Sequence, residues 1–149
     1  MPVIKYGTKC DKVIIFVRGL CGSSADAEPL VNIAAKHGCQ ILAVNLPEHG
    51  NRTDEVKLLP WMVIQELKEV ASYAKKKWLS VCVCAVSIGA WFSTFSFSDV
   101  NTDKYLFVSP LLDMCDTINR LMLVSGATEE QLRTELLKQN SVKLYLMSI

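Results

Sequence analysis

The sequence predicts an α/β protein with a mostly parallel, doubly wound sheet covered by helices on both faces. Three observations predict it. Apolar runs of strand length alternate with amphipathic stretches of helix length, the signature of strands joined by crossover helices. The run "LSVCVCAV" at 79–86 is apolar throughout rather than alternating, as a strand buried on both faces must be, and so belongs in the middle of a parallel sheet. Pro60 and Gly38 stand where a helix should start and another should end.

The elements follow in order. "VIKYGT" (3–8) is a weak first strand and "KVIIFVRG" (12–19) a strong second one. A helix is expected from Ala25 to His37, with Ser23 or Ser24 as N-cap, Asp26 and Glu28 in its first turn and Gly38 as C-cap. "CQILAVNLP" (39–47) is the next strand, closed by Pro47 and followed by the polar loop from Glu48 to Lys57. Pro60 opens a helix whose Val63, Leu67, Val70, Ala74 and Trp78 share one face. After the central strand come a short aromatic helix (Ile88 to about Phe97) and the strand "KYLFVSPLL" (104–112). Helical segments are expected at about 114–124 and 129–139, the second opened by a capping-box pair, Thr128 and Gln131. "SVKLYLMSI" (141–149) reads as a last strand. No linker or internal repeat interrupts the 149 residues, which are expected to form a single domain.

Composition narrows the function classes. Half the residues are apolar and the net charge is +1, which suits a compact domain and leaves no electrostatic footprint for nucleic acid. Lys75-Lys76-Lys77 is the basic run, and it falls at a helix C-terminus, where cations are favoured. The six cysteines contain no C-x-x-C pair, so no metal or redox site is expected, and with no signal peptide in "MPVIKYGTKC" the sequence reads as cytoplasmic. Trp78 to Ser98 is uncharged and follows three lysines, superficially like a membrane span. Its six hydroxyl residues, central Gly89, β-branched first half and aromatic second half read instead as a strand followed by a helix.

The chemistry concentrates at Ala85-Val86-Ser87-Ile88-Gly89, a near match to G-x-S-x-G. Ser87 falls between the central strand and the next helix, at the carboxyl edge where doubly wound sheets place their sites. Small residues two positions either side permit the sharp turn, and the free N–H groups of the following helix face any anion formed beside Ser87. The plain alternative is a helix N-cap, where serine is common. "VRGLCGSSADAEPL" supplies a second glycine turn at the carboxyl end of the 12–19 strand.

From that turn onward, "VRGLCGSSADAEPLVNIAAKHGCQILAVNLPEHGNRTDE" resembles the N-terminal half of an α/β-hydrolase. In that family a strand ends in a His-Gly-x-Gly-like turn, and a later one in a Leu-Pro-Gly-His-Gly-like loop, here Leu46-Pro47-Glu48-His49-Gly50. Helix, strand, serine elbow, helix and a strand ending in Ser109-Pro110 follow in the same order, so the resemblance covers about residues 10–115. It implies that Ser87 is the nucleophile of a serine hydrolase and that the backbone N–H groups of Ile88 and Leu20 form its oxyanion hole. Arg18 stands where the family has histidine, and Ala85 replaces the first elbow glycine. An arginine at 18 would suit an acidic substrate; a surface arginine is the plain alternative.

The family's triad runs Ser, then Asp or Glu, then His. The two histidines, His37 and His49, both precede Ser87, so the chain does not complete the triad in that order. Asp113 is the fallback acid, with a helix N-cap as its plain alternative. The resemblance therefore implies a chain truncated before the last strands of the fold, about its first two-thirds, with 113–139 as the start of a cap in which Met114, Leu121, Met122 and Leu123 either line an acyl pocket or form core.

Three functions compete. The first is a serine esterase acting on small-molecule esters or related acyl substrates, without cofactor or metal, weak or inactive alone. The second is a non-catalytic interaction domain on the same fold, prone to self-association through an exposed edge at "SVKLYLMSI". The third, nucleotide binding through "RGLCGSS", lacks both the Gly-Lys-Ser/Thr of a P-loop and a G-x-G-x-x-G.

Overall fold

A computed structural model of the chain describes residues 1–54 and 56–138. It separates into two compact units, Met1–Leu112 and Asp113–Ile149. The first unit holds five strands: β1 (Val3–Tyr6), β2 (Lys12–Val17), β3 (Cys39–Val44), β4 (Ser80–Val86) and β5 (Lys104–Val108). They lie in the order β1-β3-β2-β4-β5, parallel except for β1, which runs antiparallel to β3. Both β2 and β4 have strands on either side, as the unbroken apolar run of β4 requires.

Among the described residues, three helices cover this sheet. They are α1 (Glu28–Lys36), α2 (Pro60–Lys77) and α3 (Ile88–Phe97). Strand side chains alternate between two cores on opposite faces. Val13, Ile15 and Val17 of β2, with Val81, Val83 and Ala85 of β4, join Val63, Leu67, Val70, Ala71 and Ala74 of α2 and Phe92 and Phe97 of α3. Phe16, Ile41, Ala43 and Cys84 pack on the other face with Ala34 and Leu30 of α1. The two-faced winding expected from the sequence is thus present.

Several boundaries follow from identifiable residues. Ser23 is the N-cap expected before the first helix, and its capping box is completed by Asp26. Pro29 lies in the first turn of α1, so the expected helix at 25–37 becomes a 3₁₀ turn, Ser24–Ala27, leading into a shorter α-helix. In α2, Pro60 occupies the first turn, Lys75, Lys76 and Lys77 the last, and the five expected face residues are all buried. Buried Trp78 donates its indole N–H to Gln40 Oε1 at 2.9 Å. The strand expected to run to 112 ends at Val108, because Ser109 adopts a left-handed φ of 44°. The strand expected at 39–47 likewise ends at Val44.

The uncharged stretch from Trp78 to Ser98 is β4 and α3, the strand-then-helix reading. Its buried hydroxyls are satisfied within the helix: Ser93 donates to Gly89 O and Ser96 to Phe92 O, both at 2.7 Å. Among the described residues, no helix is long and apolar enough to cross a membrane. The six cysteines are free thiols, and burial pushes the thiol of Cys84 up from its ordinary value.

The second unit contains α4 (Met114–Ser125) and α5 (Glu129–Lys138). Asp113 caps α4 by accepting from Asp116 N at 2.9 Å, and Gly126 ends it at a φ of 68°. The capping box expected at α5 is present: Thr128 N donates to Gln131 Oε1 at 2.8 Å, and Gln131 N to Thr128 Oγ1 at 3.2 Å. Met122 and Leu123 line a surface pocket of about 370 Å³ with Asn119, Gly126 and Ala127. The strand expected at 141–149, and the self-association expected of it, lie outside the described residues.

Candidate active site

Ser87 joins β4 to α3 at φ 53°, ψ −123°. That backbone region is open almost only to glycine, and holding serine there costs about 1–3 kcal/mol. The conformation separates the two readings of this serine. An N-cap serine has extended backbone and accepts a hydrogen bond from the helix's first turn. Ser87 has neither feature: its φ is positive and its side chain makes no capping bond. The turn is an elbow, and Ser87→Gly is expected to stabilise the chain by about 1 kcal/mol. A urea midpoint unchanged or lowered in that variant would contradict the strain.

The elbow is fixed from both sides. Ser87 N donates to Val108 O at 3.0 Å, while Ser87 O accepts from Ala90 N at 3.0 Å and Leu111 N at 3.1 Å. Gly89 is fully enclosed: a Cβ there would lie 2.5 Å from Val17 O and 2.6 Å from Arg18 O. The close approach of α3 to the end of β2 therefore depends on glycine at this position. Ala85 sits two residues before Ser87, fully buried opposite Val17 and Phe107, so its methyl is accommodated in the core.

The glycine turn after β2 meets the elbow directly. A Cβ on Gly19 would lie 2.9 Å from Ser87 Cβ, so the turn passes against the serine. Gly22 N donates to Gly19 O at 3.2 Å, closing a β-turn with Leu20 and Cys21 at its centre, Cys21 having φ 60°. Leu20 is exposed on that turn and Ile88 is the first residue of α3, where an N–H has no acceptor within the helix. Sequence and structure thus bring Ser87, Leu20 and Ile88 to one edge of the sheet.

The remaining candidates are placed differently. His37 ends α1 and lines an apolar groove of about 380 Å³ together with Cys39 and Lys104, the first residues of β3 and β5. That is the amino edge of the sheet, opposite the elbow. His49 is buried, with Nδ1 2.7 Å from Pro47 O. A carbonyl only accepts, so Nδ1 carries the hydrogen in this contact. Neither histidine hydrogen-bonds Ser87. Asp113 is the N-cap of α4 in the second unit. Among the described residues, no group of three or more His, Cys, Asp or Glu side chains is placed to hold a metal ion.

A support that the sequence did not reveal lies beneath the 45–54 loop. Buried Asn45 accepts from Ser24 N at 2.7 Å and donates to Asn51 Oδ1 at 3.0 Å, tying the loop to the segment after the glycine turn. Arg52, its side chain 1% exposed, donates to both oxygens of Glu66 on α2 at 2.8 and 2.7 Å and to Asp54 at 2.6 Å. The Glu66 hydrogen bonds hold its guanidinium charged beyond its already high ordinary range. Glu48, at the loop's left-handed corner, is held below the usual carboxylate range by the Leu58 N–H and by Lys57.

No protein-family model matches the chain, and no curated protein matches it in sequence. Solved structures do. It is similar to an esterase from Pyrococcus furiosus at 23% identity and a TM-score of 0.65, covering 85% of this chain and 50% of that one. A lipase-esterase related protein from Clostridium acetobutylicum matches at 15% identity and 0.64, covering 90% and 57%. MenH from S. aureus matches at 16% identity and 0.62, covering 99% and 57%. The chain spans about half the length of each. With this strand order, a strained serine elbow at the carboxyl end of β4 and these matches in structure, the chain has the α/β-hydrolase fold.

Proposed function

We propose that Ser87 is the nucleophile of a serine hydrolase acting on carboxylic esters or related acyl substrates. The observation that carries this reading is the φ of 53° at Ser87, a strained backbone that helix capping does not need. The neighbouring esterases and lipase-related proteins support the substrate class by analogy of fold alone.

In this reading Ser87 Oγ attacks the acyl carbon and passes its proton to a base. The carbonyl oxygen becomes an oxyanion that accepts from the N–H groups of Ile88 and Leu20. Collapse expels the alcohol or thiol with a proton returned from the base, and water then releases the acid from the acyl-enzyme. The base is the piece that neither His37 nor His49 supplies in this arrangement. The whole protein's base is taken to come from outside the described residues, and residues 1–149 alone are expected to act weakly.

The test is hydrolysis of p-nitrophenyl butyrate by the chain with and without added imidazole, against Ser87→Ala under the same conditions. The oxyanion hole and binding alone can leave roughly 10³–10⁴-fold over water. Wild-type protein should exceed Ser87→Ala, and imidazole should widen the difference by standing in for the missing base. Equal rates for the two proteins at every imidazole concentration would sink the hydrolase reading. They would favour a non-catalytic binding domain, a reading that the Ser87 hydroxyl also favours by making no capping bond to the helix that follows it.

A further inference from the structure

We propose that Arg18 is a specificity residue that selects substrates carrying a carboxylate on the acyl chain. The proposal rests on the hydrolase reading for the nature of the substrate, while the recognition itself follows from the placement of Arg18. Along β2, side chains alternate between the two faces, so Arg18 follows Ile14 and Phe16 onto the α1 side at the carboxyl edge. It directly precedes Gly19, the residue packed against Ser87. Its backbone oxygen lies against Gly89 of the elbow.

The side chain is held as well. Its Cγ and Nε lie over Gly22, in the space that any side chain at 22 would take. Asp26 Oδ2 is 3.2 Å from Arg18 Nε and also accepts from Ser23 N at 2.7 Å, anchoring it to the capping box of the 3₁₀ turn. Nε is buried and lacks a hydrogen bond of good geometry, and the two outer guanidinium nitrogens make none among the described residues. At 41% exposure the side chain remains open to solvent. A guanidinium fixed on its stem side over Gly22, in the turn that packs against the serine elbow through Gly19, and with an outer fork unbonded among the described residues, fits the planar two-oxygen geometry of a carboxylate. Among the described residues, Asp26 is the one acidic group paired with it, and that pairing engages the Nε side.

The test is an NMR titration with monoethyl succinate against ethyl succinamate, its neutral amide isostere, following the amides of Gly19, Leu20 and Ile88. The expected result is about fivefold tighter binding of the succinate, a ratio falling to about one in Arg18→Gln and weakening with added salt. Circular dichroism checks that the variant is folded. Equal affinities in the wild type, no binding of either compound, or a preference that survives in Arg18→Gln would each overturn the proposal. No turnover is involved, so an inert Ser87 would sink the hydrolase reading and leave this result standing.

Discussion

Gly89→Ala should lose about 3 kcal/mol or more, with a thermal midpoint lower by on the order of 10 °C. The added methyl would meet Val17 O at 2.5 Å and Arg18 O at 2.6 Å. Both are backbone atoms at the end of β2, so no rotamer change relieves the contact. Relief requires α3 to move away from β2, which drags Ser87 and the N–H of Ile88 with it. The variant should therefore lose acylation of Ser87 even where some folded protein persists. A loss under about 1 kcal/mol, by urea unfolding, would mean that the elbow is looser than this contact implies.

Arg52→Ala is expected to cost about 3–5 kcal/mol. The guanidinium is 1% exposed and the Glu66 side chain 16%, so removing the arginine leaves a carboxylate largely out of water with the Met1 N-terminal ammonium, 3.8 Å from Oε1, as its remaining partner. The Asp54 contribution is small, because that carboxylate is 42% exposed and screened. The double variant Arg52→Met/Glu66→Leu should recover most of the loss, since a buried pair replaced by apolar groups of similar size is often neutral. A single-variant loss below about 1 kcal/mol, or no recovery in the double variant, would contradict the burial of this pair. The pair fastens the 45–54 loop to α2, and Asn45 fastens the same loop to Ser24, so damage here should also reach the glycine turn beside Ser87.

Local signals carried much of the fold. Pro60 and the three lysines bracket α2, and the spacing of Val63, Leu67, Val70, Ala74 and Trp78 names its buried face. The same held for α3 and for the capping box at Thr128. What escaped depends on contacts distant in sequence. The antiparallel pairing of β1 with β3 is set across some 40 residues of chain and leaves no mark in "VIKYGT". Arg52 and Glu66 stand 14 apart in a loop and a helix that each look ordinary. Ser109 ends β5 early through a left-handed φ that a serine does not announce. At the site, the spacing of Ala85, Ser87 and Gly89 pointed to a sharp turn only when joined to the strand before it and the helix after it. The direct contact of Gly19 with Ser87 emerged only from the packing of two strand ends.

The most direct measurement is labelling of the folded chain with a fluorophosphonate, with the adduct located by mass spectrometry and Ser87→Ala as control. The predicted result is a single adduct on Ser87, absent from Ser87→Ala and from chain unfolded in urea, and faster with added imidazole. Folded protein that stays unlabelled with imidazole present, or is labelled equally at other serines, would contradict the assignment of Ser87 as a nucleophile.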